Sequence, residues 1–483
     1  MVEHIRIPRA VWVIAGVVVV ALLAMSAFYG FHRDELYFIA AARRLAFGYV
    51  DQPPFTPFVA RAMDLLPGEV NPTVLRILPA FSAGGVIVVT AMIARRFGGS
   101  SRSMSLAAFF AAGAGFFLAV GHLLSTTTFD VLAWALVILL IAGIVDGADP
   151  RWWGVVGAVI GIAMLNKNII VALVVALLVG LLVTPQRRIL VGIWPWIGVA
   201  VAFLIAAPNL VWQALNEWPQ LEMASSLAKS ADSAADYLLI QLAILSIFLF
   251  IPAVMGFVWL ARDPRGSKWR LFPIAFVLLF ALFLVVGGQG YYVAPLYLPL
   301  LAAGAVSLEH RTSRVRTTVV ALAVVGAVVG IPLALPVVPP SRVEPFNEVN
   351  GELGETYGWD QLVDQVADVF AALPEEDQRT AAIFTGNYGQ AGAIEILGAD
   401  RLPQPVSGHN NYWHWGPTSS DGPIVGVGFV PQAIRRICPT IEVRTTITNS
   451  ADLPNDEYGT EIWICTEPTE PLASIWKELR HYD

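Results

Sequence analysis

Long apolar stretches dominate the first 340 positions of the chain. A membrane span needs about 20 apolar residues. Eleven stretches approach that length: 11–30, 74–94, 104–121, 129–145, 152–165, 169–184, 190–207, 237–260, 271–287, 292–308 and 317–338. The 152–184 stretch is one run interrupted by Asn166-Lys167-Asn168. A charge at mid-bilayer is expensive, so we read a hairpin of two short helices there. The first run follows Arg6 and Arg9, as a signal peptide would, but exceeds the usual h-region of about 7–15 residues. It leads into Phe31-His32-Arg33-Asp34-Glu35, with no small-residue cleavage site, and reads as a retained span. Residues 36–47 fit an amphipathic helix with Arg43 and Arg44 on its polar side, expected to lie in the interface plane. Tyr49-Val50-Asp51-Gln52-Pro53-Pro54 ends it in a rigid turn.

The pattern changes after Pro332, Pro336 and Pro339-Pro340. We divide the chain into a membrane domain, 1–339, including an interfacial first loop, 31–73, and a soluble α/β domain, 340–483. In the second, 359–373, 390–397 and 473–480 read as helices, and Gly398 closes the middle one. Residues 381–385, 423–430, 441–448 and 461–466 read as strands. Gly386-Asn387-Tyr388-Gly389 stands where a phosphate cradle would. It lacks the glycine fingerprint and reads as a βα turn, so no nucleotide cofactor is expected.

Charge divides the same way. Only 14% of residues are charged, against about 25% in soluble proteins. Residues 1–339 carry 22 Lys/Arg and 15 acids, and residues 340–483 carry 8 and 22. Lipid is the solvent of the first part and water of the second, and nothing calls for a nucleic-acid partner. With the N-terminus in the cytoplasm, 15 of the 22 basic residues fall in the expected cytoplasmic segments, as the positive-inside rule requires. The 340–483 domain is then extracytoplasmic, on a multi-pass protein of the cell membrane. Its Cys438 and Cys465 would meet an oxidising compartment, which favours a disulfide over two buried thiols.

The polar groups of the membrane part gather at the outer interface. Asp34, Glu35 and Asp51 fall within 18 residues. His122 and Asp130 flank the next outer turn, Lys167 occupies another, Asn209 and Trp212 follow a span, and Gln289, Tyr291 and Tyr292 form the last. A transporter would place such groups at the midplane. Clustering at one interface suits a reaction between a lipid-anchored group and an extracytoplasmic one.

Several segments in order resemble bacterial members of the protein-mannosyltransferase and aminoarabinose-transferase superfamily. They are Asp34-Glu35, Tyr49-x-Asp51-x-Pro53-Pro54, Leu165-Asn166-Lys167, Pro208-Asn209-x-x-Trp212 and Gly290-Tyr291-Tyr292-x-x-Pro295-Leu296-Tyr297. Asn387-Tyr388-Gly389-x-Ala391-Gly392-Ala393-Ile394 and Ser407-Gly408-His409-Asn410 resemble the soluble domain of an actinobacterial-type branch. The resemblance implies a GT-C fold, a polyprenyl-phosphate-sugar donor and an extracytoplasmic lipid, glycan or protein acceptor. It implies inverting transfer, with Asp34 as base and Glu35 orienting the acceptor. Asp51, Gln52, His122, Asp130, Lys167, Asn209, Gln289, Tyr291 and Tyr292 would line the donor phosphate and sugar; Arg43, Arg44, Tyr49 and Trp212 would line the interface. Gln52 and Gln289 stand where relatives have basic residues. Phosphate neutralisation then falls to Lys167, Arg43/Arg44, His122 or a divalent cation on Asp51. Two rival readings remain: a flippase for lipid-linked sugars, and a non-catalytic envelope assembly or sensor protein.

Overall fold

The computed structural model describes residues 6–66, 70–229, 233–417 and 421–482. Each of the eleven apolar stretches falls on a helix or bent helix pair. Five described helices are long and apolar enough to cross a membrane: Pro72–Arg96, Thr126–Val145, Trp194–Leu215, Gly290–Glu309 and Ser313–Ala334. Two further pairs are bent, Ser101–Gly113 with Gly115–His122 by 65° and Ala234–Ile244 with Ile247–Arg262 by 88°. The first break falls at Ala114 in extended conformation, the second at Ser246 and Ile247 with φ of 51° and 49°. Arg9–Met25, Trp152–Met164, Ile170–Leu182 and Leu271–Val286 are shorter apolar helices. The 152–184 run is thus two helices, parted at Asn166-Lys167-Asn168.

Lipid gives no hydrophobic drive between helices, so close backbone approach by small residues drives their packing. Trp152–Met164 crosses Trp194–Leu215 where a Cβ on Gly157 would sit 2.0 Å from the Gly198 carbonyl oxygen.

The C-terminal region holds a five-stranded sheet: β1 (Ala382–Thr385), β2 (Pro405–Ser407), β3 (Ile424–Val427), β4 (Glu442–Thr446) and β5 (Glu461–Cys465). The order is β2-β1-β3-β5-β4. β1 runs parallel to β2 and β3, while β5 is antiparallel to β3 and β4. The short β2 was not foreseen, and the expected last helix is a 3-10 segment, Leu472–Leu479. Helix Trp359–Ala371 buries Leu362, Val363, Val366 and Phe370, one apolar stripe, against this region.

The first loop departs from expectation. Its helix, Arg33–Ala42, has every residue from Glu35 to Ala42 buried. Leu36 and Ile39 share one core with Val363, Ile383, Ile394 and Val425 of the C-terminal region. The apolar face of the helix therefore packs on protein of the C-terminal region. The cause is visible in helix Tyr388–Leu397, where a Cβ on Gly392 would lie 3.0 Å from the Leu36 carbonyl carbon and 3.1 Å from Tyr37 N. A side chain at 392 would have to push the two backbones apart by a few tenths of an ångström.

Cys438 and Cys465 are joined in a disulfide that ties the end of helix Gln432–Ile437 to β5. The bridge spans 27 positions, so Cys438→Ser should cost the C-terminal region about 3 kcal/mol. Urea unfolding followed by tryptophan fluorescence reads this, because Trp463 sits in the same core. An unchanged midpoint would show that the bridge carries no stability. Gly392→Leu should separate the two helices and destabilise by about 1–3 kcal/mol, seen as a lower melting temperature in detergent.

Candidate functional site at the first-loop cleft

Asp34 and Glu35 open the loop helix through a capping box. The Asp34 amide donates to His32 Nδ1 at 3.1 Å, and the His32 amide donates to Glu35 Oε2 at 2.8 Å. Consecutive helical residues point about 100° apart, so the two carboxylates diverge. Glu35 turns inward, fully buried. Arg76 Nε donates to its Oε1 at 2.9 Å, Arg76 Nη2 to its Oε2 at 2.6 Å, and the Leu124 amide to Oε1 at 2.9 Å. Arg76 also donates to the carbonyls of Ser26 and Gly30 and lies 3.3 Å from His122 Nε2. Glu35 and His122 therefore belong to a buried nest around Arg76, away from the cleft walls. Arg76, the centre of that nest, was missed.

Asp34 turns outward and lines a cleft of about 530 Å³. Tyr37, Asp51, Gln52, Thr126 and Tyr388 share its walls, with Met223 and Leu227 as an apolar side. Tyr388 Oη donates to Asp34 Oδ1 at 2.8 Å, and Tyr37 Oη donates to Asp51 Oδ1 at 2.8 Å. The two phenol rings are 4.9 Å apart, so the carboxylates are held by one aromatic pair. Burial pushes the Asp51 carboxyl up to about 7; the Tyr37 hydroxyl opposes this and the nearby Asp34 charge adds to it. Burial and the Asp34 charge likewise hold the Tyr388 phenol well above its usual range. A carboxyl raised by burial inside a cleft is the kind of perturbed group that gathers at working sites.

The remaining expected residues divide between cleft and scaffold. Arg44 donates to Glu395 Oε1 at 2.7 Å and stacks 4.5 Å over Trp415, so its charge is spent inside the protein. Arg43 is exposed at the helix end. Tyr49 is buried and donates to the Ala41 carbonyl at 3.2 Å. Asn209 donates to the Phe47 carbonyl at 2.9 Å, and Trp212 packs where a Cβ on Gly48 would be 2.4 Å away. These three brace the loop that carries Asp51, and Asn209 is not among the cleft's walls.

Lys167 forms a second cluster beside the cleft. Its Nζ donates to Thr127 Oγ1 at 3.0 Å and lies 5.1 Å and 5.2 Å from the Tyr291 and Tyr292 ring centres. Asn166 fixes this turn by donating to the Thr126 carbonyl at 2.7 Å. Asp130 accepts from Trp134 Nε1 at 3.0 Å and is within electrostatic reach of Lys167. Gln289 gives its carbonyl to the Tyr292 amide at 3.0 Å, and its side chain is not among the cleft's walls.

The donor set for a divalent cation on Asp51 is incomplete. Among the described residues no three His, Cys, Asp or Glu side chains are grouped to hold one, and Asp34 and Asp51 each give one oxygen to a phenol. The turn at Gly386 is filled by its own chain, since the Gly386 amide donates to Gln390 Oε1 at 2.9 Å. That matches a βα turn.

The two neighbours should separate in a stability measurement. Glu35→Gln leaves Arg76 buried and unpaired, a loss of about 3–5 kcal/mol, and should sharply lower the melting temperature. Asp34→Asn, at a half-exposed site, should leave it within a degree or two. Equal melting temperatures for the two variants would contradict the division of roles.

Residues 51–212 match the family model described as dolichyl-phosphate-mannose-protein mannosyltransferase. No curated protein matches the chain in sequence. Among solved structures, ArnT from Cupriavidus metallidurans, bound to undecaprenyl phosphate, is similar over 94% of this chain and 97% of that one, at 16% identity and TM-score 0.61. Arabinofuranosyltransferase AftD from Mycobacteria is similar over 96% of this chain and 42% of that one, at 14% identity and TM-score 0.54. Oligosaccharyltransferase AglB from Archaeoglobus fulgidus, in complex with an inhibitory peptide and a dolichol-phosphate, is similar over 89% and 70%, at 11% identity and TM-score 0.53. With its apolar helices, these likenesses make the chain a multi-pass membrane protein with the fold of the GT-C glycosyltransferase superfamily, and residues 51–212 carry the mannosyltransferase family's sequence pattern.

Proposed function

We propose that this protein is an inverting glycosyltransferase that moves a sugar from a polyprenyl phosphate to an extracytoplasmic lipid, glycan or protein hydroxyl. The observation that carries the reading is the Asp34/Asp51 pair in one cleft, each held by a tyrosine of one tilted aromatic pair. Polyprenyl phosphates bound to ArnT and AglB support the donor class.

Asp34 is the base. It takes the proton of the acceptor hydroxyl as that oxygen bonds to the sugar's anomeric carbon. The bond from that carbon to the phosphate oxygen breaks on the opposite face, and its electron pair leaves with the phosphate. A phosphate monoester is a stable anion, so cationic stabilisation matters more than a general acid. Lys167 supplies it, held at the rim by Thr127 and two ring faces. Tyr388 orients Asp34, which makes the C-terminal region part of the working site. No step is routed through a metal, and chelation with EDTA should leave transfer unchanged.

Asp34→Asn should lower transfer of a radiolabelled sugar from its polyprenyl phosphate to membrane acceptors by about 10²–10⁴-fold, with folding intact. Equal labelling by both proteins would remove the catalytic assignment. Asp51 gives the pH dependence. With its carboxyl near 7, it is protonated at pH 6 and charged at pH 8. The donor is a phosphodiester whose charge does not change in this window, so its affinity should rise as pH falls from 8 to 6. The gain should be about tenfold, equivalent to about 1.4 kcal/mol. Asp51→Asn should bind the donor equally at both pH values; a wild-type profile in the variant would assign the effect elsewhere.

A further inference from the structure

Gln52 lines the cleft beside Asp51 and is only 3% exposed. Neither Oε1 nor Nε2 of its amide has a hydrogen-bond partner in the protein. Leaving both ends of a buried amide unpaired is destabilising, and the surrounding turn does nothing to relieve it. Such a group is built for a ligand, and its chemistry limits which one. A glutamine amide must both donate and accept. A phosphate or carboxylate oxygen only accepts, and would leave Oε1 unpaired. An ammonium only donates, and would leave Nε2 unpaired. A hydroxyl does both.

The other walls agree. Among the described residues lining the cleft none is basic. Arg33, 3.8 Å from Asp34, is tied behind it to Asp456 at 2.6 Å. Two carboxylates with no lining cation repel an acidic ring. Tyr37 and Tyr388 line the cleft with their hydroxyls already bonded to Asp51 and Asp34. Lys167, the cation at hand, bonds Thr127, one residue along from the wall residue Thr126.

We infer that the cleft takes an uncharged, polyhydroxylated sugar ring, with the Gln52 amide pairing to its hydroxyls, while the donor phosphate lies outside it by Lys167. This rests on the glycosyl-transfer reading and narrows it. The sugar is neither a uronic acid nor an amino sugar, and Gln52 is a specificity-determining residue that does not neutralise phosphate.

Binding to the full-length protein in lipid nanodiscs tests it. Methyl glycosides of one hexose in neutral, 6-carboxylate and amino forms would be titrated against wild type, Gln52→Met and Gln52→Glu by saturation-transfer NMR. The neutral glycoside should bind best. Gln52→Met should weaken it about tenfold while matching or exceeding the wild-type melting temperature, because an unpaired amide has been removed. That pairing of effects separates ligand contact from structural damage. Preference for the carboxylate or amino form, unchanged neutral binding by Gln52→Met, or no binding of any glycoside would each overturn the inference. Gln52-dependent binding of the neutral glycoside, with no transfer from a neutral polyprenyl-phosphate sugar, would uphold the sugar site and defeat the transferase reading.

Discussion

The cleft depends on a buried guanidinium. Arg76 gathers Glu35, the carbonyls of Ser26 and Gly30, and the edge of His122 around one charge. Such a pair adds little net stability, since desolvating both ions offsets most of their attraction. What it supplies is direction. Once Glu35 is locked inward, the geometry of a helix leaves Asp34 one place to point, and that place is the cleft. The end of the first apolar helix, the start of the loop helix, the Pro72–Arg96 helix and the turn at Leu124 all meet at this ion pair. The direction of the Asp34 carboxylate is thus set by its neighbour in sequence.

The same loop explains the charge asymmetry of the chain. The C-terminal region is strongly acidic, and its acids meet the basic residues of the loop. His32 pairs with Glu352 at 2.8 Å, Arg33 with Asp456 at 2.6 Å, and Arg44 with Glu395 at 2.7 Å. Two of these pairs have one buried partner, His32 or Glu395, and the third is open to solvent and contributes little by itself. Together with the glycine-mediated contact at Gly392 they set where the C-terminal region docks, and docking brings the Tyr388 hydroxyl to Asp34. Packing and charge therefore converge on one contact between the C-terminal region and the first loop.

The helices were legible because hydrophobic run length is dictated by bilayer thickness, and the break at Asn166-Lys167-Asn168 was legible because a mid-bilayer lysine is costly. Asp34 and Asp51 were legible as acids clustered beside aromatics and prolines. Direction was not. Glu35, His122, Arg44 and Asn209 lie at the same interface in sequence, yet turn away from the cleft into the scaffold, and a one-dimensional pattern does not record which way a side chain faces. Arg76 did leave a signal: a guanidinium just inside an apolar run starting at 74, where a charge must have a buried partner. Strand β2, only three residues long, is too short for any alternation to show. The amphipathic pattern of 36–47 was real, but its apolar face packs on protein, because Gly392 of the C-terminal region lets the two helices meet closely.

The arrangement also resolves how a cleft lined by acids can serve a phosphate-linked donor. If both carboxylates were charged in a dry site, they would repel the phosphate and each other. Burial shifts Asp51 toward its neutral form near pH 7, which lessens its repulsion of an anion near the cleft. The ammonium of Lys167 stands apart, and its separation keeps it from pairing with Asp34 and quenching it. A lysine at position 52, adjoining Asp51 on the same turn, would bring phosphate binding into the cleft but pull the proton off Asp51 and tie up a carboxylate. Glutamine there avoids both. The neutral residue at 52 is thus consistent with a division of space, in which sugar and base share one compartment and phosphate and cation share the next.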